Sequence, residues 1–313
     1  GLALGHGGVF VVQPPYLLFY PDRNRDDVPD GDPEVLLTGF GMEDAHAFAT
    51  SLTWGPDGWL YGAQGSTSPA NIRGIEFQQG IWRYHPLTKE FELFAEGGGN
   101  TWGLDFDEDG NIIAGTNWGD SIALHQAQGA YHVKGFSKHG PLHNPYTFGY
   151  FEHIPYKNFK GGHVTSGGII YQGGSFPAQF NNRYIAANLL ANAIYWHVLE
   201  PNGSSFTGQF GGELLTTDDH SFRPIDCTIG PDGSVFIADW YDQRATHVDP
   251  QDNWDRDTGR IYKIASLGTK AVSKLDLSKL SSKELAEQLA LANDWHAREA
   301  RCLLAERRDA KKL

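Results

Sequence analysis

The apolar residues of this chain follow two patterns. Through about residue 264 they come in short runs, each set behind a turn of Gly, Asp or Asn. The phrase GPDGWLYGAQG at 55–65 returns as GPDGSVFIADW at 230–240. Looser copies are DEDGNIIAGTN at 107–117, GHGGVFVVQPP at 5–15 and FNNRYIAANLL at 180–190. Asp, Asn and Gly tolerate positive φ and suit a tight reversal, so each copy predicts a turn followed by a short strand. Aligned glycines fall at Gly8, Gly58, Gly110 and Gly233; the gaps are 50, 52 and 123 residues, and the fifth copy lies inside the last. A second phrase follows at a loose distance, as GIWRYHP at 80–86, SIALHQ at 121–126, AIYWHVLE at 193–200 and GRIYKI at 259–264, and reads as the partner strand. A period of roughly 50 residues built of strand and turn predicts an all-β propeller rather than an irregular sandwich.

Near Gly268 the pattern becomes helical. Ser281 with Glu284 forms a capping box, and Leu285, Leu289 and Ala292 recur at i, i+4 and i+7. Asp294 is the expected cap of a second helix, with Ala300, Leu303 and Leu304 on one side. The division predicted is a propeller domain over 1–264 and a helical tail over 265–313. Two short helices look like one HEAT-like unit, which cannot bury its own apolar face. The tail is therefore expected to dock through Leu285, Leu289, Leu303 and Leu304, or to begin a longer array.

Composition narrows the function classes. Hydrophobic residues make up 40% and charged residues 20% of 313, enough for a substantial core. The net charge is −13; the tail carries +3 and the first part −16, against the basic footprint of a nucleic-acid binder. No apolar run reaches the ~18 residues of a membrane span. Two cysteines, Cys227 and Cys302, exclude a disulfide scaffold and a Cys-built zinc or iron–sulfur site, and no C-x-x-C-H motif attaches a c-type haem. The chain lacks an initiating Met and opens in what reads as a strand, so a processed or truncated chain with an N-terminal segment elsewhere is expected.

Four stretches carry a family resemblance: HAFATSLTWGPDGWLYGAQG, GGGNTWGLDFDEDGN, HVTSGGIIYQGGSFPAQFNNRYIAANL and FRPIDCTIGPDGSVFIADWYD…GRIYKI. In this order they resemble the six-bladed propellers of the soluble PQQ-dependent glucose and aldose sugar dehydrogenases. The nearest group is the planctomycete type labelled membrane-bound dehydrogenases, where helical repeats and often a cytochrome domain follow the propeller. The resemblance implies a quinoprotein-like oxidoreductase acting on a sugar or sugar-derived alcohol, exported to the periplasm or cell surface. Electrons would pass to a cytochrome outside this chain.

Residue by residue, the resemblance offers His46, just before the GPDG strand, as the catalytic base. Asn100 matches an asparagine near the quinone, although Gly99 stands where the family has an arginine. Arg223 matches one of two arginines that clamp the quinone carboxylates; Ile225 holds the second position, and Ser66 replaces an aspartate. His163 and Asp226, in the third and fourth stretches, complete the expected cofactor set.

Metal candidates come from the residues themselves. Asp22, Asn24, Asp26 and Asp30 alternate oxygen side chains in YPDRNRDDVPDG, as a calcium loop does. The sequence from Asp242 to Asp257 is acidic and reads as a solvated loop; Asp239 and His247 beside it are added to the metal candidates. Six histidines between 125 and 163 match no compact motif. A second function class is a metal-assisted carbohydrate lyase or hydrolase using His46, His163 and His247. A third is a glycan- or protein-binding propeller without chemistry. Trp54, Trp102, Trp118 and Trp240 are candidates for stacking on sugar rings.

Overall fold

The computed structural model describes residues 1–117, 121–133, 149–158, 165–245 and 251–307. His163, His247 and Trp118 lie outside the described residues.

The repeated phrases fold as the spacing predicts. Gly58, Gly110 and Gly233 have φ of 81°, 81° and 75°. In each turn the preceding Asp accepts backbone N–H groups, from Trp59 to Asp57, from Asp109 and Asn111 to Asp107, and from Ser234 to Asp232. The N-terminal copy is shifted by one residue: its turn residues are His6 (φ 54°) and Gly7 (φ 73°), and Gly8 already belongs to the strand.

Each turn joins two strands of an antiparallel sheet. The first sheet comprises Leu2–Gly5, Gly8–Gln13, Tyr16–Pro21 and Glu34–Thr38. The second holds Thr50–Trp54, Leu60–Gln64, Gly80–Tyr84 and Phe91–Gly97, extended at its outer edge by Ala130–His132 and Gly149–Phe151. The third unit is Leu104–Phe106, Ile112–Ala114, Ser121–Gln126 and Ile154–Lys157. The fourth is Ser166–Ile170, Tyr184–Asn188, Ala193–Asn202 and Ser205–Thr216, joined to the third by a short parallel pairing of Tyr156 and Lys157 with Gly208 and Gln209. The fifth is Pro224–Ile229, Val235–Asp239 and Arg260–Ile264.

The first strand of each unit packs on the first strand of the next, from Leu2–Gly5 through Pro224–Ile229. Apolar cores fill the spaces between successive units. Phe10, Leu17, Leu60 and Trp82 join the first to the second, and Tyr61, Ile81, Leu104 and Ile112 the second to the third. Ile113, Ile122, Ile170 and Tyr184 join the third to the fourth, and Ile185, Ile194, Ile229 and Ile237 the fourth to the fifth. Sheets covered on both faces, with their first strands innermost, give a propeller-type arrangement around a common axis.

The tail forms α1 (Ser282–Gln288) and α2 (Asp294–Arg307), with the capping box at Ser281 and Glu284 in place. Leu285, Ala300 and Leu303 are buried together, with Leu304 packed beside them. Leu289 departs from the expectation: α1 ends at it, and its side chain is 42% exposed. Asp294 is the first helical residue rather than the cap; Asn293 plays that part, accepting the Trp295 N–H. Asn293 also donates to the carbonyls of Gly230 and Pro231, both at 3.0 Å, fastening α2 to a repeat turn. Asn293→Ala is expected to cost about 1–3 kcal/mol through those partners and the lost cap, read as a lower urea midpoint at unchanged slope. No helix among the described residues is long and apolar enough to cross a membrane.

Candidate functional site

A cavity of about 990 Å³ opens where the innermost strands begin. His46, Ser51, Asn100, Trp102, Ser166 and Asp226 line it, so the second to fifth units all contribute. Three of the inner strands are bulged at this level: the pairing register shifts between Thr50 and Thr53, between Ser166 and Ile169, and between Pro224 and Asp226. Ser51 (φ 64°) and Gly167 (φ 52°) lie inside two of these bulges. A bulge re-aims side chains, and bulges are enriched beside active sites.

His46 lines the cavity. Its backbone N–H donates to Asp44 Oδ1 at 2.9 Å, and its Nδ1 lies 3.8 Å from the same oxygen. The Thr67 hydroxyl donates to Asp44 Oδ2, and Ser68 Oγ binds the Asp44 backbone. The imidazole is thus set beside an oriented carboxylate, the arrangement that stabilises an imidazolium once it has taken a proton. Asn100 also lines the cavity, its Oδ1 accepting the backbone N–H of Ser66 at 2.9 Å and the Ser66 hydroxyl at 2.7 Å. A Cβ at Gly99 would stand 2.1 Å from Asn117 Oδ1, which accepts the Asn100 N–H at 2.9 Å, so a side chain at 99 would displace that contact.

Arg223 does not line the cavity. Its Nε donates to Asp242 O, Nη1 to Leu189 O and Nη2 to Gln243 O, each at 2.8 Å, and the residue is 8% exposed. A guanidinium committed to three carbonyls ties two loops together and is not presented to a ligand. Ile225 faces the cavity where the second arginine was expected. Arg256, the remaining arginine on the wall, pairs with Asp252 at 2.7 Å. PQQ is a multiply charged anion that calls for paired guanidinium groups. Among the described residues the cavity does not supply them, and the quinone has no fitting site there.

The expected metal ligands are dispersed. The carboxylate of Asp22 accepts the N–H of Asp26 and Asp27, Asn24 that of Asp26, Asp26 that of Val28, and Asp30 pairs with Arg23. Their oxygens close the loop on itself. Asp239 is buried away from that loop, and its Oδ1 accepts the N–H groups of Arg223 and Tyr241. Among the described residues no three His, Cys, Asp or Glu side chains converge as metal ligands, and the expected calcium has no fitting site there.

Asp226 faces the cavity, and enclosure by its walls pushes the carboxyl up to about 6, against a Cys227 N–H bond at 3.0 Å that favours the charged form. Of the stacking candidates, Trp102 and Trp240 line the cavity, whereas Trp54 packs beside the first sheet and donates to Leu4 O at 2.7 Å. The sequence reading missed Trp254, which stacks on Trp240 with centroids 5.0 Å apart and carries the Arg244 guanidinium 3.8 Å from its ring centroid. Its signal is an aromatic inside an acidic stretch that otherwise reads as a solvated loop.

Residues 1–267 match the model of a family described as Domain of unknown function (DUF7133). The chain belongs to that family. No curated protein matches this DUF7133 member. Among solved structures, a glucose dehydrogenase is 16% identical over 85% of this chain and 76% of its own, with a TM-score of 0.53. A Thermus thermophilus protein provisionally named an oxidoreductase (glucose dehydrogenase) is 16% identical over 84% of this chain and 82% of its own, TM-score 0.51. The PQQ-bound aldose sugar dehydrogenase of Streptomyces coelicolor is 14% identical over 84% of this chain and 73% of its own, TM-score 0.48. The first two likenesses give this DUF7133 member the mostly-β fold of propeller enzymes.

Proposed function

We propose that the protein is an oxidoreductase that takes a sugar or sugar-derived alcohol into the cavity, with His46 as the base. The observation that carries this reading is His46 beside Asp44 on the wall of a large cavity that also presents Trp102 and Trp240. The likeness to glucose dehydrogenases supports the reaction class. Oxidising an alcohol removes a hydroxyl proton and a carbon-bound hydride. The imidazole of His46 takes the proton, Asp44 steadies the resulting charge, and the indoles hold the apolar face of the ring. A six-bladed whole, export to the periplasm or cell surface, and onward transfer to a cytochrome belong to the same reading. The hydride would pass to a two-electron organic acceptor from solution, a quinone or a redox dye in class, rather than to a PQQ clamped by Arg223, whose guanidinium is committed elsewhere.

That commitment favours one second reading: redox-neutral cleavage of a carbohydrate, a lyase or hydrolase in which His46 and Asp226 divide the base and acid roles. The test is dye reduction with a panel of aldoses, with and without added PQQ, beside reducing-end release from oligosaccharides. Turnover of a sugar by the wild type, lowered roughly 10²-fold or more in His46→Ala at unchanged melting temperature, is the expected result. Sugar release without dye reduction would transfer the site to the second reading.

A further inference from the structure

We infer that Asp226 is the carboxylate that anchors a neutral sugar in the cavity through its ring hydroxyls. The inference rests on the carbohydrate reading above and names the residue that holds the substrate. It starts from the inner strands. Where the second, third and fourth units reach the neck of the cavity they carry Ser51, Gly103 and Gly167, and these approach very closely. Gly103 N donates to Ser51 Oγ at 2.7 Å, a Cβ on Gly103 would stand 2.6 Å from the Gly167 Cα, and one on Gly167 would stand 2.1 Å from the Asp226 Cα. Asp226 therefore follows a series of small residues, and it is the member of that series with a titratable side chain.

The fifth unit is bulged at that place, with Pro224 paired to Asp239 and Asp226 to Ala238. Strict alternation would send Ile225 and Asp226 to opposite faces. The bulge leaves both on the cavity wall, where both are exposed. Asp226 is thus open to the cavity and enclosed by protein at once. The Cys227 N–H donates to its Oδ1. A carboxylate has about four acceptor positions, so most of its capacity points at whatever enters.

The neighbourhood selects the ligand. Ile225, Trp102 and Trp240 supply apolar and aromatic wall, and Asp44 on the same wall adds a second negative charge. An anionic ligand is repelled by two carboxylates, whereas vicinal hydroxyls donate to them. The titratable and charged side chains that act on Asp226 are Asp105, and His46, Asp44 and Arg256 around the cavity. Burial raises the Asp226 carboxyl, so it is ionised and fully accepting only above about pH 6.

The experiment follows tryptophan fluorescence of wild type and Asp226→Asn during titration with D-glucose, D-galactose, D-xylose and cellobiose at pH 8 and pH 5, beside melting curves at both pH values. The expected result is saturable binding by the wild type that weakens from pH 8 to pH 5. Asp226→Asn should bind about 10- to 100-fold more weakly at pH 8, the range for a hydrogen bond to a charged acceptor, at an unchanged melting temperature. Unchanged affinity in Asp226→Asn overturns the inference and leaves the carbohydrate reading standing. A lower melting temperature together with weaker binding assigns Asp226 a structural role and overturns it too. Absence of binding by the wild type to all four sugars removes the carbohydrate reading and this inference with it.

Discussion

Arg298→Met is expected to lower the free energy of unfolding by about 3–5 kcal/mol, the cost of leaving a buried charge without its partner. Arg298 Nη1 lies 2.6 Å from Asp105 Oδ1, and its Nε donates to Asp294 Oδ2. Asp105 is 2% exposed, and its second oxygen accepts the Ile170 N–H at 2.8 Å. Burial raises the Asp105 carboxyl even though the Arg298 guanidinium opposes it. Without that guanidinium the carboxyl rises further, so the folded variant holds a proton that the unfolded chain gives up. Stability then falls as pH rises above the ordinary carboxylate range, and the loss is larger at pH 8 than at pH 5. Urea unfolding at the two pH values measures this. Adding Asp105→Asn should restore part of the loss, because the remaining amide needs no counter-charge. A variant as stable as wild type at pH 8 would mean that the ion pair does not hold the tail.

Arg223→Ala is expected to cost a comparable amount, about 3–5 kcal/mol, and to act on folding rather than on a ligand. Three carbonyls, of Leu189, Asp242 and Gln243, lose their donor at once. Asp239 and Asp242, each 4% exposed, lose the positive charge between them. The Asp239 carboxyl is already raised by burial. By the same sign argument the damage grows with pH. Arg223→Lys should recover little, since one ammonium cannot serve three carbonyls in a planar fork. Melting curves at pH 5 and pH 8 are the measurement. An unchanged melting temperature with altered ligand affinity would return Arg223 to the binding set.

The turns and strands were legible because their chemistry is local. Asp57, Asp107 and Asp232 close their own turns, and a glycine in the left-handed region follows within three residues. At the first copy the histidine takes the first left-handed position, so alignment by the later glycine lands one residue late. The site was only half legible. His46 and Asn100 could be placed because each sits at a fixed distance from a repeat turn. Arg223 could not, because its guanidinium is claimed by carbonyls 19, 20 and 34 residues away in sequence. Bulges leave no composition signal, so the placing of Ile225 on the cavity wall beside Asp226 was hidden, as was the folding of Trp254 back onto Trp240. Leu289 fits the helical spacing, yet the helix stops there and the pattern loses its meaning at the last residue.

The contact between Asp105 and Arg298 spans 193 residues of sequence, and that between His6 and Glu306 spans 300. Synthesis at roughly 5–20 residues per second puts about 10–40 seconds between the emergence of Asp105 and of its counter-ion. During that interval the third sheet carries a carboxylate meant for a dry site, and it is held neutral or open to water until α2 is made. The order of translation therefore bears on the order of assembly: α2 can lock the third sheet only after the whole of the preceding sheet region has been made.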